Sequence, residues 1–270
     1  MRARLLIPMV AAGAAVALAL GGWGIAAPRS APSLAQLKLD AVAVDTELVI
    51  AVDVSNSMDP EEQALQREGY ILGLTSREFL NALREGAHGR VAITYFEWAA
   101  INDQKIIVPW RLIDGQASAE AVADEIMRAP YRRAPRTSIY GALQFAQPLF
   151  KNSPFNGLRH VIDVSGDGTN NNGPPVTIMR DQALDSGITI NGLPIMLARR
   201  YASGPDIPNL DVYYEDCVTG GPGSFVIAIH EREQFKQATR DKLVQEIATV
   251  PRQPRVIPAQ ARPRTRVYCS

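Results

Sequence analysis

Leu48-Val49-Ile50-Ala51-Val52 is an unbroken apolar run, and it ends on Asp53-Val54-Ser55-Asn56-Ser57. A strand wet on one face alternates apolar with polar residues. An unbroken run instead marks a strand buried on both faces, as inside a parallel sheet. Just beyond, Asp59-Pro60-Glu61-Glu62 carries an N-cap acid, a first-turn proline and acids that face a helix dipole. One carboxylate and two hydroxyls at alternate positions therefore sit between a buried strand and a helix. Open α/β sheets place their binding sites at such carboxyl ends.

The rest of the chain repeats this alternation. A helix is expected from about Pro60 to Arg84, closed by Gly86 and Gly89, and a second strand over Arg90–Trp98. Asn102-Asp103 is a turn, and Lys105–Trp110 is a third strand. So short a connection requires an antiparallel hairpin, because a parallel crossover needs a dozen or more residues. A short helix follows over Ala117–Arg128, then one from Thr137-Ser138 to about Phe150, and a fourth strand over Arg159–Ser165. Pro174-Pro175 opens another helix; Ile188–Ile195 is strand five. A long loop spans 196–223, Ser224–Ile229 reads as strand six, and Glu231–Ala248 as a final amphipathic helix. The expected fold is a three-layer α/β sandwich on a six-stranded, mostly parallel sheet with one antiparallel strand.

Twenty-eight basic and 28 acidic residues in 270 leave no formal net charge. That balance argues against nucleic acid as a partner, since no basic excess is present to neutralise phosphates. Met1-Arg2-Ala3-Arg4 followed by the apolar stretch Leu5–Ala27 reads as a secretory signal, with small residues suited to cleavage after Ala26 or Ala35. An uncleaved membrane anchor is the competing reading of the same stretch. Residues 28–44 form a linker, 45–250 the folded domain, and 251–270 an Arg/Pro-rich tail. Cys217 and Cys269 are the only cysteines, and an oxidising compartment favours a disulfide between them over two separate thiols.

Three loops carry a recognisable pattern. Asp53-x-Ser55-x-Ser57 resembles the opening of the metal-ion-dependent adhesion site of von Willebrand factor type A domains. Thr137, ahead of a helix containing Ala142-Leu143, matches that family's second-loop threonine, with Arg136 standing where glycine is usual. Asp167-Gly168, after the fourth strand, matches its third-loop aspartate. Runs such as Val164-Ser165-Gly166-Asp167-Gly168 and Gly220-Gly221-Pro222-Gly223-Ser224-Phe225 are similar to a group of exported bacterial proteins of that superfamily. The resemblance implies a Mg2+ ion (or Mn2+ or Ca2+) on Asp53, Ser55, Ser57, Thr137 and Asp167. It also implies a protein partner that presents Asp or Glu to the ion. Hard cations favour such oxygen donors. The function expected is therefore non-enzymatic: metal-dependent protein binding outside the cytoplasm.

Two kinds of rival bear on the same residues. One is a scaffold domain that has lost its ion, with Arg136 competing for the site. The other is a hydrolase. A haloacid-dehalogenase-like phosphatase would need a second aspartate where Ser55 stands. A subtilisin-like protease would draw on Asp53, His88-Gly89 and Thr137-Ser138. Arg132, Arg133 and Arg136 read as a solvated basic loop beside the site, His160 and His230 as ordinary strand-end residues, and Asp59 as a helix cap.

Overall fold

The computed structural model describes residues 41–197, 209–248 and 267–269. The N-terminal targeting segment, most of the linker and most of the Arg/Pro-rich tail lie outside these residues. β1 (Val42–Asp53) leads to α1 (Pro60–Leu74) and α2 (Arg77–Arg84). β2 (Val91–Trp98) and β3 (Gln104–Ile113) form the hairpin, followed by α3 (Gln116–Arg128) and α4 (Ile139–Lys151). β4 (Phe155–Gly166), α5 (Val176–Asp185), β5 (Ile188–Pro194), α6 (Leu210–Tyr213) and α7 (Phe235–Ile247) complete the order.

The strands lie in the order β3-β2-β1-β4-β5. β1 pairs parallel with both β2 and β4, β5 is parallel to β4, and β3 is antiparallel to β2. Buried on both faces, β1 divides its side chains between two cores, as period-two geometry requires. Leu48, Ile50 and Val52 pack with Tyr70 and Leu74 of α1, Val122 and Ile126 of α3, and Leu243 of α7. Val49 and Ala51 pack with Ile139 and Leu143 of α4, Val176 and Ala183 of α5, and Tyr214. Connections leave β1 and β4 in opposite directions. The crevice beyond their carboxyl ends is therefore the sheet's topological switch point.

The described sheet has five strands, not six. Segment 224–229 runs beside β5, but only Gly192–Val226 and Ile195–Ile229 form bridges. Gly192 N–H donates to Phe225 O, Ile227 N–H to Gly192 O, and Ile229 N–H to Pro194 O. The missing rung is the one residue 194 would donate, and a proline has no N–H to give. The expected helix over 60–84 also divides. Ser76 accepts from Phe79 N–H and caps α2 as a new start. The loop expected over 196–223 contains α6, which continues into one π-helical turn over Tyr214–Val218. From that turn Cys217 is bonded to Cys269, so the end of the chain is fastened under the α5 side of the sheet.

Candidate metal centre

Asp53 closes β1 and is fully buried. Its Oδ1 accepts the backbone N–H of Ser55 at 2.7 Å, which turns the chain sharply at the strand end. The hydroxyls of Ser55 and Ser57 lie 2.7 Å apart, and Ser57 Oγ donates to Asp167 Oδ1 at 2.6 Å. Four of the five expected residues thus form one continuous polar chain, whose Ser57–Asp167 link joins residues 110 apart in sequence. Asp59, the expected cap, makes a full capping box with Glu62 and holds the start of α1 against this loop.

Thr137 arrives from the second loop and is buried. Its Oγ1 lies 3.5 Å from where a Cβ on Gly168 would sit, beside Asp167. Arg136 adopts the left-handed conformation at φ 74°, which explains the usual glycine there. Its side chain is exposed to solvent. The loop tolerates this strain because three consecutive asparagines clamp it. Thr137 N–H donates to Asn171 Oδ1 at 2.9 Å and its carbonyl accepts from Asn171 N–H at 2.8 Å. Asn170 Oδ1 accepts from Tyr140 N–H, and Asn172 O accepts from Ser138 Oγ. Asn172 Oδ1 reaches Ile101 N–H and so ties in the β2–β3 hairpin. The sequence signal for this clamp is the run of asparagines, Asn170-Asn171-Asn172, just after Asp167-Gly168.

Electrostatically the site is strained. Burial first, and repulsion from Asp167 second, push the Asp53 carboxyl well above the usual aspartate range. No basic side chain is among the main influences on it. Its second oxygen, Oδ2, makes no hydrogen bond. That oxygen lies against Gly166, where an added Cβ would meet it at 2.8 Å and the Tyr214 hydroxyl at 3.1 Å. A side chain at position 166 would fill this space, so glycine is required on steric grounds. The Tyr214 hydroxyl is also without a hydrogen bond, and burial followed by the Asp53 charge raises its pKa strongly. An orphaned buried oxygen on a carboxylate repelled by a second carboxylate is the environment a cation would relieve. The donor set fits a hard divalent ion: two carboxylates and three hydroxyls, all oxygen. Among the described residues no group of three or more His, Cys, Asp and Glu forms an alternative metal cluster.

The protease-like arrangement is not assembled. His88 N–H donates to Asp45 Oδ1 at the opposite end of β1 from Asp53, a strand length of roughly 25 Å at 3.3 Å per residue. Ser138 is committed as a helix cap, its Oγ accepting from Gly141 N–H. The basic loop is also less free than expected. Arg132 bridges Glu97 and Asp103, and Arg133 donates to Asn56 O at 2.7 Å. With Arg67 against Glu97 at 2.8 Å, these contacts brace the second loop against the hairpin. His160, expected at a strand end, lies mid-way along β4, 3.5 Å from Glu47 of β1 and away from the site.

The fold is that of von Willebrand factor type A domains. Over 77% of its length the chain superposes on proximal thread matrix protein 1 from the mussel byssus, a structure described with a zinc-occupied MIDAS motif, at TM-score 0.56 and 13% identity. A von Willebrand factor type A protein from Catenulispora acidiphila matches over 76% of the chain at TM-score 0.53 and 15% identity. The pilus adhesin SpaC from Lactobacillus rhamnosus GG matches over 78% at TM-score 0.51 and 13% identity. The present chain covers 49%, 43% and 30% of those three proteins respectively. A comparison with curated proteins returns no match. By sequence, residues 43–251 match the family described as Protein of unknown function (DUF1194), and the chain belongs to that family.

Proposed function

We propose that this domain is an exported, divalent-metal-dependent protein-binding module. The observation that carries the reading is the Asp53–Ser55–Ser57–Asp167 chain, with Thr137 beside it and an orphaned, mutually repelled carboxylate at its base. Asp53, Ser55, Ser57, Thr137 and Asp167 would hold the ion, Mg2+ by preference for an all-oxygen set. A bound ion would supply an electrophilic position for an Asp or Glu side chain of a partner.

The rest belongs to the protein's own groups. Two carboxylates against one divalent ion neutralise it formally; the hydroxyls add no charge and so leave its field open to a third acid. The asparagine clamp fixes Thr137 and the capping box fixes the Ser57 loop, so little ordering remains to be done on binding. The N-terminal stretch, as read from sequence, and the Cys217–Cys269 bond support an oxidising, extracytoplasmic location. No described helix is long and apolar enough to cross a membrane. Adhesion and matrix roles among the superposed proteins support a binding rather than a catalytic role.

The test has two arms. Calorimetric titration of the EDTA-stripped protein with Mg2+ and Mn2+ is expected to show one saturable site, lost in Asp53→Ala. Pulldown from the native envelope fraction is expected to yield a partner with Mg2+ that EDTA removes. Absence of any ion binding would leave a scaffold domain. Capture unchanged in EDTA would remove the metal from the binding step.

A further inference from the structure

A second polar cluster lies inside the molecule, between α7 and β4. Lys242, Glu246 and Asp163 are all fully buried. Lys242 Nζ stands 2.5 Å from Asp163 Oδ1, yet that oxygen makes no directional hydrogen bond. The Glu246 carboxylate touches the same Nζ. Tyr70 Oη donates to the other Asp163 oxygen at 3.0 Å, and the ring of Phe225 lies 5.7 Å from Nζ. An amine, a carboxyl group, a second carboxyl in contact with the amine and a hydroxyl donor on the first carboxyl are the parts of an amide-forming site. All are held in a closed space.

We propose that Lys242 and Asp163 condense to an intramolecular isopeptide bond, with Glu246 as the proton relay. Asp163 takes one proton from the Lys242 ammonium, which frees the amine. The amine nitrogen attacks Cγ of the protonated carboxyl while Tyr70 stabilises the oxygen it already hydrogen-bonds. Glu246, itself protonated, gives its proton to the departing hydroxyl and is re-protonated by the one nitrogen sheds. The C–N bond forms, the C–OH bond breaks, and one water leaves. Ammonium plus carboxylate become amide plus water, with no net change of charge and no oxidant, reductant or co-reactant.

Three arguments support the step. Contact between the reacting groups replaces an encounter in solution by a positioned one, and such positioning reaches effective molarities of roughly 10⁵–10⁸ M. A water-poor interior favours condensation over hydrolysis, the reverse of bulk water. Condensation also removes two buried charges. Burial first and then Asp163 push Glu246 up to about 8, and burial raises Asp163 despite Lys242 beside it. Glu246 therefore holds a proton strongly enough to relay it. A buried ion trio is costly unless perfectly satisfied, and Glu246 Oε2 makes no hydrogen bond.

The bond is read directly by peptide mapping of the reduced, denatured full chain. The sequence places trypsin sites after Arg159, Arg180, Arg240, Lys242 and Arg252. The expected product is a branched peptide joining residues 160–180 to 241–252, uncut at Lys242 and lighter by one water than its two parts. Glu246→Gln should return the linear peptides, cut after Lys242. Linear peptides alone from the folded wild type overturn the proposal, whatever the variant's folding behaviour. A branched peptide in Glu246→Gln overturns the relay role assigned to Glu246.

Discussion

Two groups of buried carboxylates are anchored on the paired strands β1 and β4, and their contrast is instructive. Asp163 and Glu246, inside the sandwich, have Lys242 set between them. Asp53 and Asp167, at the sheet's edge, act on each other, and the main influences on Asp53 include no cation. Both groups incur the cost of taking acids out of water. In the interior the fold supplies the counter-charge itself, as a lysine on α7, and the proposed condensation then removes that charge together with the one on Asp163. At the edge it supplies hydroxyls, which stabilise without neutralising. A group that completes its own charge serves as a structural element; one that leaves the charge incomplete keeps room for a cation, the role proposed here for Asp53 and Asp167.

The sharpest way to break this comparison is to remove charge from each group in turn, because the signs should oppose. Lys242→Met removes both the counter-charge and the amide it is proposed to form, leaves Asp163 and Glu246 stranded in the core, and is expected to lower stability by about 3–5 kcal/mol in urea denaturation. Asp53→Asn removes repulsion while keeping the acceptor for Ser55 N–H. In EDTA it should raise stability, on the order of 1 kcal/mol, while ion binding seen by calorimetry disappears. If both variants destabilise alike, the edge group is structural after all.

The interior group should also leave a signature in pH. Glu246 is protonated more readily when folded than unfolded, its folded pKa being raised to about 8 from an ordinary value of 4.5. Its contribution is therefore fully present below the ordinary value and lost as pH rises towards about 8, at up to about 1.4 kcal/mol per pH unit. Denaturation midpoints across that window should fall more steeply for wild type than for Glu246→Gln. Smallest of all, Asn171→Ala removes the Thr137 clamp. We expect about 1 kcal/mol of stability lost and a roughly tenfold weaker ion affinity, both measurable in the same titrations.

Much of the edge group was legible in the sequence because its chemistry is local. Asp53, Ser55 and Ser57 are neighbours in one loop, and Asp167-Gly168 ends a recognisable strand. The Asn102-Asp103 hairpin and the Cys217–Cys269 pair were legible for similar reasons of short spacing and simple counting. The interior group was not. Asp163 sits within an apolar run, and Lys242 and Glu246 read as the polar face of an amphipathic helix. Only tertiary packing shows that this face is turned inward, 79 residues from the strand it meets, the difference between positions 242 and 163. Strand six failed for a reason present in the sequence all along: Pro194 cannot donate the rung its neighbour needs. Arg136 shows the reverse. A residue that looked like a misfit takes the backbone conformation of the glycine it replaces, because the asparagines of another loop hold it there.

The Cys217–Cys269 bond has a mechanical consequence. Cys217 lies in the same helical segment as Tyr213, whose hydroxyl accepts from Asn170 N–H, and Tyr214, which sits beneath Asp53. Tension applied at Cys269 would therefore bypass the intervening chain and α7, arriving directly at the floor of the crevice proposed to hold the ion. A load on this tether would be felt first by the aromatic pair under Asp53, before any strand is peeled from the sheet.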